Sequence, residues 1–198
     1  MSVVEPQRGW RTVDIVVAAV IAVAFGVIFW AWSSFVWGPT SLFFEGFAKP
    51  AQYVLSGVYL MPAVLGGLVI RKPGAALFTE VVAAAVSALL GSQWGLDVIL
   101  SGVVQGAGAE LIFAFTAYRV WGLPVAVLAA VGASIGEWLH DMTIYFPETT
   151  FDAQLAYGVF VVVSAVVIAG IGSWLLTRAL ADTGVLAPFA SGRSQRAI

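Results

Sequence analysis

Apolar residues come in long runs along this chain, and short polar or Gly/Pro breaks separate them. Six runs stand out, at 12–37, 51–70, 74–92, 97–118, 122–145 and 151–180. Each approaches the roughly 20 residues that a helix needs to cross a hydrocarbon core. Gly38-Pro39 ends the first and Lys49-Pro50 opens the second. Arg71-Lys72-Pro73-Gly74 is a tight polar turn, residues 91–95 separate the third from the fourth, and Trp121-Gly122-Leu123-Pro124 starts the fifth, which Pro147 terminates. The Ser/Gly/Arg-rich end reads as a disordered tail. The expected fold is all-α: a six-helix transmembrane bundle over residues 1–186 and a cytoplasmic tail over 187–198.

Composition agrees with lipid as the solvent. Of 198 residues 61% are hydrophobic and 10% charged, whereas roughly a quarter of residues in an average soluble domain carry charge. The absence of Cys excludes disulfide and thiol chemistry, and no metal or other cofactor is expected. Arg8 and Arg11 ahead of an apolar run, with Ala22-Val23-Ala24, resemble a cleavable leader. The run is too long for one and reads as a retained first helix. Basic residues then set the orientation. Eight of them (Arg8, Arg11, Arg71, Lys72, Arg119, Arg178, Arg193 and Arg196) fall on one side of the six-span topology, and Lys49 alone falls on the other. The bias places both termini in the cytoplasm.

Orientation gives each polar residue a depth. In the fifth run Glu137 and Asp141 are four apart and share a helix face, with Trp138 and His140 between them in the outer third. In the fourth, Gln105 and Glu110 lie near mid-membrane, where an unpaired charge is costly. Tyr53 and Tyr59 occupy the outer half of the second run, with Gln52 and Ser56, and Pro62 favours a kink after Tyr59. Gln93 and Trp94 sit at the outer mouth. Tyr53, Tyr59, Gln93, Trp94, Gln105, Glu110, Glu137, Trp138, His140 and Asp141 are therefore the candidate substrate-binding residues. Acids under an aromatic rim suit a planar cation. Glu80 lies nearer the cytoplasm and reads as an internal or snorkelling partner of Arg71 and Lys72. Trp30, Trp32 and Trp37 fit an aromatic belt, and Leu42, Phe43, Phe44 and Phe47 fit an interfacial loop or one folded over the mouth.

Ala18, Ala22 and Gly26 form a small-residue stripe that lets another helix approach, whether inside the bundle or from a partner. The chain carries no phosphate-binding loop, H-E-x-x-H or G-x-S-x-G motif. Nothing points to a nucleic-acid partner. No internal repeat is obvious, which argues against a self-contained secondary carrier.

Residues 10–14 (Trp-Arg-Thr-Val-Asp), Tyr59-Leu60-Met61-Pro62, Arg71 to Ala76 with Glu80, and Gly91 to Gly95 with Gln105 and Glu110 resemble the YkoE-type substrate-binding (S) components of energy-coupling-factor (ECF) transporters, over nearly the whole chain. The resemblance implies a non-enzymatic capture subunit in a bacterial plasma membrane. It also implies thiamine or hydroxymethylpyrimidine as substrate, and as partners a transmembrane coupling (T) protein with two ATP-binding subunits. Docking on the coupling protein would use the stripe at Ala18 and Ala22. Two other readings stay open: a proton-coupled carrier relaying through Glu80, Glu110 and Glu137, and an intramembrane enzyme using His140 with the acids.

Overall fold

The computed structural model describes residues 9–193, with residues 46 and 47 described for backbone alone. Arg8, Arg196 and the Phe47 side chain, which carried expectations above, lie outside the described residues. Six membrane-scale helices follow one another: α1 (Thr12–Thr40), α2 (Ala48–Ile70), α3 (Ala75–Leu89), α4 (Asp97–Phe115), α5 (Leu123–Ile144) and α6 (Phe151–Asp182). Five are long and apolar enough to cross a bilayer, and α3 is a shorter apolar helix of 15 residues. Val16, Val20, Val23, Phe115, Val159 and Leu175 are exposed around the outside. In a multi-pass membrane protein that surface belongs to lipid.

Most of α2 is buried, and the other helices surround it. A 3-10 helix, Gly46–Leu60, begins just ahead of α2, forms its upper part and becomes α-helical at Met61–Ile70, with Pro62 in the first α turn. A 3-10 run of this length is uncommon, and inside a membrane every backbone group it displaces needs a partner. Neighbouring helices supply them. Ser164 donates to the Val54 carbonyl (2.6 Å) and accepts from the Gly57 N–H (2.8 Å). Trp32 donates to the Leu55 carbonyl at 3.1 Å. Thr79 donates to the Pro62 carbonyl and Glu80 accepts from the Ala63 N–H, so the peptide unit at the junction is held from both sides (2.8 and 2.9 Å).

α4 and α5 cross with their backbones nearly touching. A Cβ on Gly108 would overlap the Gly132 carbonyl, one on Gly132 would overlap the Gly108 carbonyl, and one on Gly136 would lie 2.5 Å from the Val104 carbonyl. Only glycine permits this approach.

One end of the bundle gathers the basic residues. Asp14 is fully buried there and is matched by the Arg11 guanidinium (2.7 Å) and the Lys72 ammonium (3.3 Å), with Lys72 also donating to the Gly9 carbonyl. A buried carboxylate needs such partners to be stable. The expected disordered tail requires correction at this end. Ala190–Arg193 forms a short helix, α7, Phe189 is buried, and Ser191 donates to the Val69 carbonyl at 2.9 Å. Leu186 and Phe189 bring apolar surface that packs beside Val69 and Ile70, which orders the segment. Residues 194–198 lie outside the described residues.

The small-residue stripe is spent inside the bundle. Ala18 and Ala22 are fully buried, and a Cβ on Gly26 would lie 2.5 Å from the Val86 Cβ on α3. The docking role expected for Ala18, Ala22 and Gly26 is corrected to α1–α3 packing. A stripe of small residues fixes how closely helices approach and leaves open which helix arrives.

Candidate functional site

At the opposite end α1, α2, α3, α4 and α5 enclose a cavity of about 400 Å³. That volume falls in the range of small-molecule sites. The 3-10 conformation of α2 builds one wall. At three residues per turn Tyr53, Ser56 and Tyr59 align in a row, and the two tyrosines line the cavity. In an α-helix the same two tyrosines would point roughly 120° apart.

α1 contributes Trp37 through a π-helical turn, Ser33–Trp37. Side chains fill its displaced carbonyls: Gln52 donates to the Trp37 carbonyl (2.9 Å) and Thr40 to the Val36 carbonyl (2.6 Å). Trp37 then meets Tyr53, Tyr59 and Trp94 edge-to-face, with ring centroids 5.3, 6.0 and 6.1 Å apart. Tyr59 is fixed further by Ser33, their hydroxyl oxygens 2.9 Å apart. This rigid aromatic cage can accept an aromatic or cationic ligand face.

The other walls are acidic. Glu137 and Asp141, one turn apart on α5, both line the cavity, and Glu80 of α3 joins them. Tyr53 donates its O–H to Asp141 Oδ2 at 2.7 Å, and the His140 ring occupies Asp141 Oδ1 at 2.9 Å. Asp141 therefore has partners on both oxygens. Glu80 Oε1 and Glu137 Oε2 are buried with no hydrogen-bond partner. A buried carboxylate oxygen left unpaired costs at least about 1–3 kcal/mol, which a ligand with N–H donors would relieve. Gln105 of α4 lines the cavity and donates to Ser101 at 2.7 Å. Lys49 and Ser41 reach the mouth, while Leu42 and Phe43 stay exposed outside it. Among the described residues no three His, Asp or Glu side chains are gathered as a metal site needs.

Of the sequence candidates, Tyr53, Tyr59, Trp94, Gln105, Glu137 and Asp141 line the cavity. Four others require correction. Gln93 is exposed and its amide reaches the Ser33 carbonyl at 3.5 Å. Trp138 faces a separate apolar groove between α5 and α6 and donates to the Gln154 carbonyl at 2.7 Å. One position from Glu137, it lies about 100° round the helix. His140 sits behind the cavity wall, bonded to Asp141.

Glu110 is at the basic end, where it accepts from the backbone N–H groups of Gly74 (2.6 Å) and Ala76 (3.0 Å) and from the Tyr118 hydroxyl (2.6 Å). It is a side-chain cap for the α3 N-terminus, whose free N–H groups attract a carboxylate. Burial, and the hydrogen bond it donates to the Glu110 carboxylate, push the Tyr118 phenol up. Glu110→Gln is expected to destabilise the protein by about 1–2 kcal/mol and to leave ligand affinity unchanged, as thermal melts and binding titrations would read.

Glu80, Trp37, Gln52 and Phe29 are cavity residues that sequence reasoning placed elsewhere or passed over. Glu80 sits at the sixth position of a 15-residue helix, against the α2 junction. Counted along a full-length span it falls nearer the basic loop, and the shortness of α3 brings it to the cavity instead.

Residues 13–136 match the family described as "ABC-type cobalt transport system, permease component". A Bacillus subtilis (strain 168) protein named as an HMP/thiamine permease, YkoE, is 34% identical over 139 residues, 70% of this chain and 67% of that protein. A solved structure titled as an S-component of an ECF transporter superposes with a TM-score of 0.88 and 32% identity, covering 95% of this chain and 94% of the other. The bundle and its enclosed cavity thus define a membrane-embedded S component, the substrate-binding class of ECF subunit. Within that class the chain belongs to the YkoE-type family.

Proposed function

We propose that this protein captures thiamine or its hydroxymethylpyrimidine precursor at the outer face of a bacterial plasma membrane and hands it to an ATP-driven import complex. The observation that carries the reading is the pair of unpartnered carboxylate oxygens, on Glu80 and Glu137, beneath a cage of Trp37, Tyr53, Tyr59 and Trp94. An aminopyrimidine presents N–H donors that such oxygens accept, and a thiazolium is a cation that an aromatic face attracts. The name of the Bacillus relative points the same way. The drive would come from a coupling (T) protein and two ATP-binding subunits, with both termini in the cytoplasm beside the basic end.

The carrier reading loses a relay member, because Glu110 is committed to backbone N–H groups. Titrating the detergent-purified chain with thiamine, and separately with hydroxymethylpyrimidine, tests the proposal. Saturable quenching of Trp emission is expected, since Trp37 and Trp94 line the cavity. A folded protein that binds neither compound sinks it.

A further inference from the structure

Behind the cavity wall a hydrogen-bonded chain joins three helices. His140, buried on α5, presents both ring nitrogens to carboxylates: Nδ1 lies 2.9 Å from Asp141 Oδ1, and Nε2 lies 3.3 Å from Asp97 Oδ2 on α4. Tyrosines close the two ends. Tyr145 donates its O–H to Asp97 Oδ2 at 2.5 Å, and Tyr53 of α2 donates to Asp141 Oδ2 at 2.7 Å. Burial, and the hydrogen bond it donates to the Asp97 carboxylate, push the Tyr145 phenol up, which keeps it a donor.

With Asp97 and Asp141 both ionised, the donor count favours one state of the imidazole. An ionised carboxylate only accepts, and a neutral imidazole has one N–H and one lone pair. Between two carboxylates the lone pair would face an oxygen. A doubly protonated ring gives each carboxylate a donor and places a cation between two anions. Other charged or titratable groups around it favour the same state: Glu137 lies one turn below on α5, and the Tyr145 ring packs edge-on at 5.8 Å. The opposing charge, Lys49 on α2, is out at the mouth over the Phe146 ring at 5.2 Å.

We propose that His140 is a cationic clasp: as an imidazolium it bridges Asp97 and Asp141, ties α4 to α5 across the mouth, and holds the Asp141–Tyr53 pair in the cavity wall. It is a positioning residue and does not line the cavity. The clasp is fastened while both nitrogens carry protons. It loosens as pH rises through the imidazole midpoint, and ligand retention falls with it. That last consequence rests on the capture function proposed above; the protonation state of His140 does not.

The chain has one His, so the protein labelled with 15N-histidine and carrying no histidine tag gives NMR signals from this imidazole alone. Both ring nitrogens are expected to be protonated near neutral pH, with the midpoint lowered by roughly 1 pH unit or more in Asp97→Asn. A singly protonated ring near neutral pH, or a midpoint that Asp97→Asn does not move, overturns the clasp. In the second arm, thiamine dissociation is followed across the range in which imidazole titrates. The rate should rise with pH in the wild type, lose that dependence in His140→Gln, and rise at lower pH in Asp97→Asn. Identical pH profiles in all three overturn the positioning role. A wild type that binds neither thiamine nor hydroxymethylpyrimidine, yet shows the doubly protonated ring, sinks the capture reading and supports the clasp.

Discussion

Glu137→Gln is expected to weaken thiamine binding by roughly 10- to 100-fold while raising the melting temperature of the ligand-free protein. Glu137 is buried, and its Oε2 has no partner. A hydrogen bond to a charged group contributes about 1.5–3 kcal/mol, which converts to that loss of affinity. In the empty cavity the same carboxylate is a burden, because a charge removed from water without a partner destabilises the fold. An amide keeps the shape and removes the charge. Opposite movements of affinity and stability are the signature of a group kept for its ligand. Thermal melts with a binding titration read both, and a fall in both would make Glu137 a structural residue.

Gly132→Leu is expected to have the largest effect on folding, a loss of about 3 kcal/mol or more. Gly132 and Gly108 each lie where a Cβ would overlap the other's carbonyl. A leucine there cannot be met by a flexible neighbour turning aside, since the obstacle is backbone. α4 and α5 would have to separate, and Gln105, Glu137 and Asp141 would move apart with them. Size-exclusion profiles in detergent should show little monodisperse protein. If Gly132→Leu gave a monodisperse protein that melts and binds like the wild type, the close crossing would be wrong.

The membrane architecture was legible because lipid imposes one demand on every span: apolar length. The runs at 97–118 and 122–145 became α4 and α5 with small changes at their ends. Glu137 and Asp141 were legible as a pair because four residues make one α turn. The aromatic wall was not. Reading α2 at the α-helical period separates Tyr53 from Tyr59, and the 3-10 winding that aligns them depends on Ser164, Thr79 and Glu80 from other helices. Glu110 shows the complementary failure. Depth along α4 said that it needed a partner, but the partner is the N-terminus of α3, which only the packing brings near. Ala18 and Ala22 carried the right physical message, close approach, attached to the wrong neighbour.

Proteoliposomes give the most direct test of the claim that this chain captures a substrate and relies on other subunits to move it. The protein is reconstituted alone, under an imposed pH gradient, and again with a coupling protein and two ATP-binding subunits. Radiolabelled thiamine is followed in both. Saturable binding without accumulation is expected of the chain alone, and ATP-dependent accumulation, lost in Glu137→Gln, of the complex. Accumulation by the chain alone under the pH gradient would contradict that claim.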